Sequence, residues 1–583
     1  MFRQRMFNIR NFLSYIVFPY QWYAILPYAI LFSLLFCIIC AASRLLSTHF
    51  WFLHIFSINL DLLSIYSVKY VSDITLFNVI SGFSHAWLFT ATFVVISVLY
   101  LLAIYWLPDK ITVRFIFAST IVLGLAYMLL PVLTSQDVFS YIAYSRMAVL
   151  YHLDPVVTVP TAIRHDYIFH FLYWVHQPSI YGPVWTALVS GLQCLALALG
   201  FKYAFFMEMA LRLFCFAAFL TSVCLLWILI GRFQSPLAGT VAQQRLRLRV
   251  TLAFAWNPFL LLEACVNAHN DVVVLLLFLL ALYSLLPSIQ SGRQPFVWSA
   301  FFIGLASCIK ISYILLIPGL LLFVLFNEKD ILFPILQRYY NAALAAIVAF
   351  GTVMVLYMPF WHHGELLAVL RITPSASRDI NSIYELAVNV IHALGLASLR
   401  HTEDHGAPIE VYSHWVSTLF FLLVYLYACI RCLLQPRLLR TPLSLLGWLN
   451  FVWLAYCFIG SPWFWPWYSV IAIGMCAVIA ACQDEGMRNR CCIPFVFTEL
   501  NMGLVGLVIS FSSLCLYIFW TFYGLFPNYK LSFVSNQVVW LLPLIVVISV
   551  YYRGRGREKR FSLTGRYKDK RIRIWLPYAR RDR

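Results

Sequence analysis

Asp137 and the two tyrosines that follow it are the first residues in this chain with a claim on chemistry. They lie in Ser135-Gln-Asp-Val-Phe-Ser-Tyr-Ile-Ala-Tyr-Ser-Arg146, directly after the apolar run 115–134. A charge at the end of a membrane-spanning run sits at the lipid–water boundary, where burial is expensive unless the charge has a partner or a task. If the segment is helical, Asp137, Tyr141 and Tyr144 fall at i, i+4 and i+7 and look into the same space. Asp is also a common helix N-cap, so residue type and position leave that role equally open, and the two can coexist.

Other polar groups recur at the ends of apolar runs. Asn267-Ala-His-Asn-Asp271 joins two such runs, with Glu263 one turn before it. A helix–helix turn calls for Asn or Asp as a cap, but successive polar residues with an imidazole exceed that need. Lys310 lies between runs 296–309 and 312–326, whose far ends carry Arg293 and Lys329. Basic residues mark the inner side, which puts Lys310 on the outer side; a snorkelling structural lysine is the alternative. Tyr181-Gly-Pro-Val-Trp185, the segment 374–384 with Arg378, Asn381 and Ser382, and Ser461-Pro-Trp-Phe-Trp-Pro-Trp-Tyr468 complete an outer ring. Aromatics there commonly form a membrane belt, yet a run so dense in aromatics and proline is rigid and suits stacking against a sugar or prenyl chain. His152, His165, His170 and His176 match no zinc spacing and read as interfacial packing.

These groups need a membrane scaffold to hold them. Of the 583 residues 62% are hydrophobic and 11% charged, which excludes a soluble globule. Apolar runs of about 20 residues recur along the chain, so the fold expected is all-α and polytopic, with about fourteen transmembrane helices. The division expected is N-terminal helices with a first external loop over 1–114, a membrane core that carries the polar groups above over 115–482, C-terminal helices over 483–551 and a basic cytoplasmic tail over 552–583. The net charge of +18 is mostly that tail, which reads as a cytoplasmic signal and not as a nucleic-acid site. Arg3, Arg5 and Arg10 before the run 22–42 indicate an uncleaved signal anchor, so both termini are expected in the cytoplasm. The run 183–200 spans only ~27 Å as a helix against a core of ~30 Å, and is expected to be re-entrant or interfacial. The basic segment with Arg232, Arg245, Arg247 and Arg249 reads as an inner link, followed by the run 250–265. Glu208 and Arg212 are spaced to pair on one helix face. Cys37/Cys40 and Cys429/Cys432 lie within or at the end of apolar runs and read as packing residues.

In their order, the Asp-Val-Phe-Ser-Tyr stretch, Tyr-Gly-Pro, Asn-Ala-His-Asn-Asp, the lysine at 310 and Pro-Trp-Tyr resemble the GT-C superfamily of glycosyltransferases. The nearest branch is the polyprenol-phosphate-mannose-dependent α-mannosyltransferases of bacteria, over about residues 115 to 480. The resemblance implies a polyprenyl-phosphate sugar donor, with mannose as the hexose, and an extracytoplasmic glycan or glycolipid acceptor. It implies Asp137 as general base, Lys310, Arg378 and His269 at the donor phosphate, and Tyr141, Arg146, Tyr181, Asn270, Asp271, Asn381, Trp467 and Tyr468 as substrate-binding residues. Direct displacement would invert the anomeric carbon. No cofactor is certain, and a divalent metal is possible but not indicated: the carboxylate pair of some GT-C branches is missing, because Gln136 and Val138 flank Asp137, which leaves metal dependence open. A lipid-linked glycan polymerase or ligase and a flippase-type transporter are the competing readings. A transporter of duplicated halves would show an internal repeat, and none is evident.

The charge pattern fixes an expected plasma-membrane topology with the site on the extracytoplasmic face. A cysteine introduced at Ser375, in the acidic loop 362–412, should react with a membrane-impermeant maleimide in intact cells. Labelling only after permeabilisation would reverse that topology.

Overall fold

The computed structural model describes residues 76–107, 111–130, 132, 134–234, 241–286, 295–327, 335–366, 381–395, 408–482, 501–525, 540 and 545–546. The run 22–42, most of the run 537–551, Arg378, Cys37, Cys40 and the basic tail lie outside them. The described residues form helices and connecting turns, with no β-strand among them. Among the described residues five helices are long and apolar enough to cross a bilayer, or six if a bent pair is one span. Shorter apolar helices of 10–17 residues stand between them. Over the described residues the protein is an all-helical membrane protein.

In chain order the helices are α1 (Leu76–Tyr105), α2 (Val113–Met128), α3 (Asp137–Leu150), α4 (Pro183–Ala198), α5 (Ala204–Phe233) and α6 (Val241–Ala255). Then come α7 (Pro258–Val266), α8 (Asp271–Leu285), α9 (Pro295–Ser307), α10 (Ile317–Phe326) and α11 (Ile335–Tyr357). The last are α12 (Ile383–Ala393), α13 (Pro408–Leu434), α14 (Pro442–Ala455), α15 (Ser469–Cys482) and α16 (Met502–Leu525). The segment 183–200, expected to be re-entrant or interfacial, is helical as α4 and packs on α3 and α5.

The centre is built from helices that are apolar on every side. On α15 nearly every residue from Ser469 to Cys482 is buried, and α8 packs against α5, α9 and α15. A helix without a polar face can only be interior. On α11, in contrast, Asn341, Ala345, Ala349 and Val353 form one buried stripe four residues apart, while Ile347, Met354 and Val355 are exposed. That stripe is the packing face, and the rest is suited to lipid.

The run expected over 250–265 is broken. The helix begins at Val241, so Arg245, Arg247 and Arg249, expected in a link, are wound into α6. Arg247 folds back to donate to the carbonyl of Trp227 at 2.9 and 2.6 Å and lies 3.6 Å from that ring's centroid. The break falls at Asn257-Pro258: proline cannot continue the i−4 ladder, and the Asn257 side chain caps the next helix by accepting from the amides of Phe259 and Leu260. The two pieces bend by 44°. α7 then ends in a π-wound turn over Leu262–Val266.

One buried ion pair ties the broken helix to the rest. Glu208 and Arg212, paired as their spacing predicts, meet at 2.8 Å within α5. Arg212 also donates to the carbonyls of Val266 at 2.9 Å, Met128 at 2.8 Å and Leu130 at 2.7 Å. It thereby satisfies the open ends of α2 and α7, the two helices that deliver Asp137 and the 267–271 turn. Arg212→Met leaves Glu208 and three carbonyls without their donor, and should destabilise the protein by about 3–5 kcal/mol. Thermal unfolding in detergent would read this, and a melting temperature equal to wild type would refute the clamp.

Candidate functional site

Asp137 is the first residue of α3, and Gln136, which makes no side-chain cap, precedes it. The carboxylate is therefore not the N-cap. Its Oδ2 instead accepts from the Tyr181 phenol at 2.9 Å, and the side chain keeps 12% of its surface open. Burial, reinforced by Asp137, pushes the Tyr181 phenol well above its ordinary range, so it stays a donor. Tyr141 and Tyr144 do fall on the Asp137 side of α3, and both pack on the Tyr181 ring, at 4.8 and 6.5 Å. Burial, with Asp137 and Asp271 both adding to it, raises the Tyr141 phenol likewise. Tyr144 reaches the carbonyl of Gln177 at 3.0 Å.

The turn after α7 brings a second set of groups to the same place. Ala268 takes a left-handed φ of 51°, a conformation that costs a non-glycine residue about 1–3 kcal/mol. It lets the chain double back so that the His269 amide donates to the carbonyl of Glu263 at 3.0 Å and the imidazole faces the same residue's carboxylate. His269 Nδ1 is hydrogen-bonded to Glu263 Oε2, while Nε2 stands 3.2 Å from Ser135 Oγ and 3.8 Å from Asp137 Oδ2. The ring is stacked on Trp467 at 4.1 Å, which lies parallel to Trp465 at 5.1 Å. Glu263, fully buried, also accepts from Asn267 Nδ2 at 3.1 Å and from the Tyr517 phenol at 2.6 Å. Thr134 closes the set by donating to Asn267 at 2.7 Å.

Asp271 begins α8. Its oxygens accept from Lys310 Nζ at 2.5 Å and from the Tyr313 phenol at 2.9 Å. Lys310 follows α9 and is extended at φ −138°, with its ammonium 4.5 Å from the Tyr468 ring centroid and 12% of the side chain open. The α9 end is joined to the Tyr181 segment through backbone: the Gly182 amide donates to the carbonyl of Ile309 at 2.9 Å and the Val184 amide to that of Cys308 at 3.1 Å. The partly open carboxylate and the partly open ammonium are thus held by one rigid connection.

Of the remaining expected residues, Arg146 lies apart from the cluster. Arg146 is committed to Asp166 by two bonds of 2.9 and 2.7 Å, and Tyr151 donates to the same oxygen at 2.9 Å. Nine residues along α3 from Asp137, about 13 Å at the helical rise, it ties the loop to the helix and does not join the cluster. The Asn381 side chain donates to the carbonyl of Phe464 at 3.1 Å, bracing the aromatic segment from behind. Asn270 is buried beside Asp271 with neither amide atom bonded. Arg378 lies outside the described residues. Among the described residues no group of three or more His, Cys, Asp or Glu is arranged to hold a metal ion. Sequence reasoning did not place Ser135, Glu263, Tyr313 or Tyr517 in the site. Glu263 carried a signal as an acid inside an apolar run; Tyr517, 254 residues from its partner, carried none.

The comparisons with known proteins bear on this region. Residues 59–326 match the family described as alpha-(1->6)-mannopyranosyltransferase, N-terminal domain. The resemblance read from the motifs is borne out by that match. The matched part contains Asp137, Tyr181, Glu263, His269, Asp271 and Lys310, whereas Trp467, Tyr468 and Tyr517 come from the chain beyond it. No curated protein matches. Among solved structures, the crystal structure of the Archaeoglobus fulgidus oligosaccharyltransferase, with zinc and sulfate, is similar at 13% identity and a TM-score of 0.30. The alignment covers 72% of this chain and 53% of that one, so the chain spans about half the length of that protein.

Gly182 sits where a Cβ would overlap the carbonyl of Cys308, a backbone atom that cannot rotate away. Gly182→Ala should therefore spread the Tyr181 and Lys310 segments and lower turnover by on the order of a hundredfold, the scale of a 1 Å misplacement. Gly191→Ala, with open space around its Cα, is the control. Equal activity of the two variants would show that the backbone tie does not set the site.

Proposed function

We propose that the protein is a membrane mannosyltransferase that takes mannose from a polyprenyl-phosphate carrier and adds it to a glycan or glycolipid acceptor outside the cytoplasm. The observation that carries this reading is that a partly open carboxylate, Asp137, and a partly open ammonium, Lys310, belong to segments joined by the backbone bonds at Gly182 and Val184. The family match supports the sugar and the reaction class.

In this reading Asp137 accepts the proton of the acceptor hydroxyl as its oxygen attacks the anomeric carbon. Tyr181 orients the carboxylate by donating to Oδ2, which leaves Oδ1 for the hydroxyl. The bond from the anomeric carbon to the phosphate oxygen breaks on the opposite face, and its electron pair departs with the lipid phosphate. An ammonium carries three donors; Asp271 takes one of Lys310's, and another stabilises the charge that develops on that oxygen. Asp271, itself fixed by Tyr313, sets the height of the ammonium over Tyr468. A single displacement inverts the anomeric centre. The Trp465–Trp467 face offers a stacking surface for the sugar or the prenyl chain. Arg146, bonded to Asp166, has no part in the reaction, and His269 belongs to Asp137's surroundings and not to the phosphate.

Asp137→Asn separates chemistry from architecture, because the amide oxygen still accepts from Tyr181 but cannot take a proton. In membranes supplied with radiolabelled polyprenyl-phospho-mannose, the variant should lose transfer by about 10²–10⁴-fold at unchanged protein level and melting temperature. Transfer near the wild-type rate would remove Asp137 from the mechanism and the reading with it.

A further inference from the structure

The loop between α3 and α4 holds an exposed aromatic pair on a backbone that is otherwise pinned. Tyr173, 67% exposed, meets Trp174 edge to face at 4.7 Å. Before the pair, Ile168 and Phe171 are buried, and Phe171 packs on Phe139 of α3 at 5.3 Å. Asp166 holds the same stretch, accepting from the Ile168 amide at 3.0 Å while bonded to Arg146. After the pair, the Val175 carbonyl accepts from the Thr161 amide at 3.2 Å and the Gln177 carbonyl from the Tyr144 phenol at 3.0 Å, and the Ser179 amide donates to the carbonyl of Pro155 at 2.7 Å. A large ring fixed in this way and yet left open presents apolar area that needs little further ordering to bind. His170 and His176, on either side of the pair in the chain, are exposed as well.

The pair is also the outer end of a line of rings that leads to the site. Trp174 lies 5.9 Å from Trp463 and Trp463 5.9 Å from Trp465, which stacks on Trp467, the neighbour of His269 beside Asp137. Along α3 the rise from Asp137 to Tyr144, whose phenol reaches Gln177, is about 10 Å. A hexose whose hydroxyl sits at Asp137 does not also cover Tyr173, whereas later residues of a sugar chain reach it.

Resting on the reading of Asp137 as base, we propose that Tyr173 and Trp174 form a distal acceptor subsite, on which a hexose of the acceptor remote from the reacting hydroxyl lays its C–H face. The acceptor is then a glycan of several residues and not a single sugar. The rings supply the stacking surface, and the exposed imidazoles of His170 and His176 are of a type that donates to and accepts from hydroxyls. Polar flanks of this kind suit a sugar and not a prenyl chain. Exposed aromatics also serve as a membrane belt, but a belt has no need of the contact with Trp463, which joins the pair to the segment carrying Trp467 and Tyr468.

The test is calorimetric titration of the full-length protein in detergent, without donor, with methyl α-mannoside and with the α-1,6-linked methyl tetramannoside. The wild-type protein should bind the tetramannoside about tenfold more tightly, the scale of one added ring contact. Tyr173→Ala, a change at an exposed position, should lose that advantage, and Tyr173→Phe, which keeps the ring, should retain it. With polyprenyl-phospho-[14C]mannose as donor, Tyr173→Ala should raise KM for the tetramannoside by the same factor at unchanged kcat, the signature of lost binding that is equal in ground and transition states. Equal wild-type affinity for the two mannosides would overturn the subsite. So would a Tyr173→Ala variant that binds the tetramannoside as the wild type does, and a lowered melting temperature in that variant would then assign the ring to a membrane belt. Binding of the tetramannoside with no transfer by the wild-type protein would instead strike the proposed function and leave the subsite in place, so the two failures are distinguishable.

Discussion

Burial of charge is the constraint on which the rest of this structure depends. Glu208, Arg212, Glu263 and Asp271 lie inside a helical membrane protein, and each buried ion without a partner would cost several kcal/mol. Each has its partner: Arg212 for Glu208, three donors for Glu263, and a lysine and a phenol for Asp271. The pairs draw on α5, α7, α8 and α16 and on the segment after α9, so satisfying the charges fixes how those helices sit. The same requirement leaves Asp137 and Lys310 as the charged members of the cluster that remain partly open.

Irregular backbone is what allows the pairs to form. A continuous helix through 241–285 would spread Glu263, His269 and Asp271 around its circumference. The Asn257-Pro258 break, the π-wound turn and the left-handed Ala268 turn them inward instead. α14 ends in the same way, with a π-wound turn over Tyr456–Gly460 that leads into the aromatic segment carrying Trp467 and Tyr468. Non-helical backbone at membrane depth is tolerated where protein covers it, and here it is covered by the groups it positions.

Much of this was legible in the sequence and some was not, for physical reasons. Hydropathy announced a helical membrane protein, because ~20-residue apolar runs have few other uses. Asp137, the 267–271 turn and Lys310 stood out because charge at a run's end is costly wherever it occurs. The i, i+4 pair of Glu208 and Arg212 followed from helical spacing, but its hold on the carbonyls of Met128, Leu130 and Val266 did not, since no local pattern records a tertiary hydrogen bond. The helix at 241–249 was hidden because the arginines that marked a link are also good helix formers. Arg146 looked available until Asp166, twenty residues on, was seen to occupy it. Tyr517 was invisible for a related reason: a phenol in an apolar run reads as packing until the carboxylate opposite is known.

The central claim is a single inverting displacement from a lipid-phosphate donor, and the stereochemistry of the product tests it most directly. The purified protein, reconstituted in liposomes with a β-linked polyprenyl-phospho-mannose labelled with 13C at the anomeric carbon, would be given a soluble mannoside acceptor. The one-bond carbon–hydrogen coupling at the new linkage then reports its configuration. The account predicts an α-linked mannose, formed with release of polyprenyl phosphate. A β-linked product, which requires two displacements or a different leaving face, would contradict it.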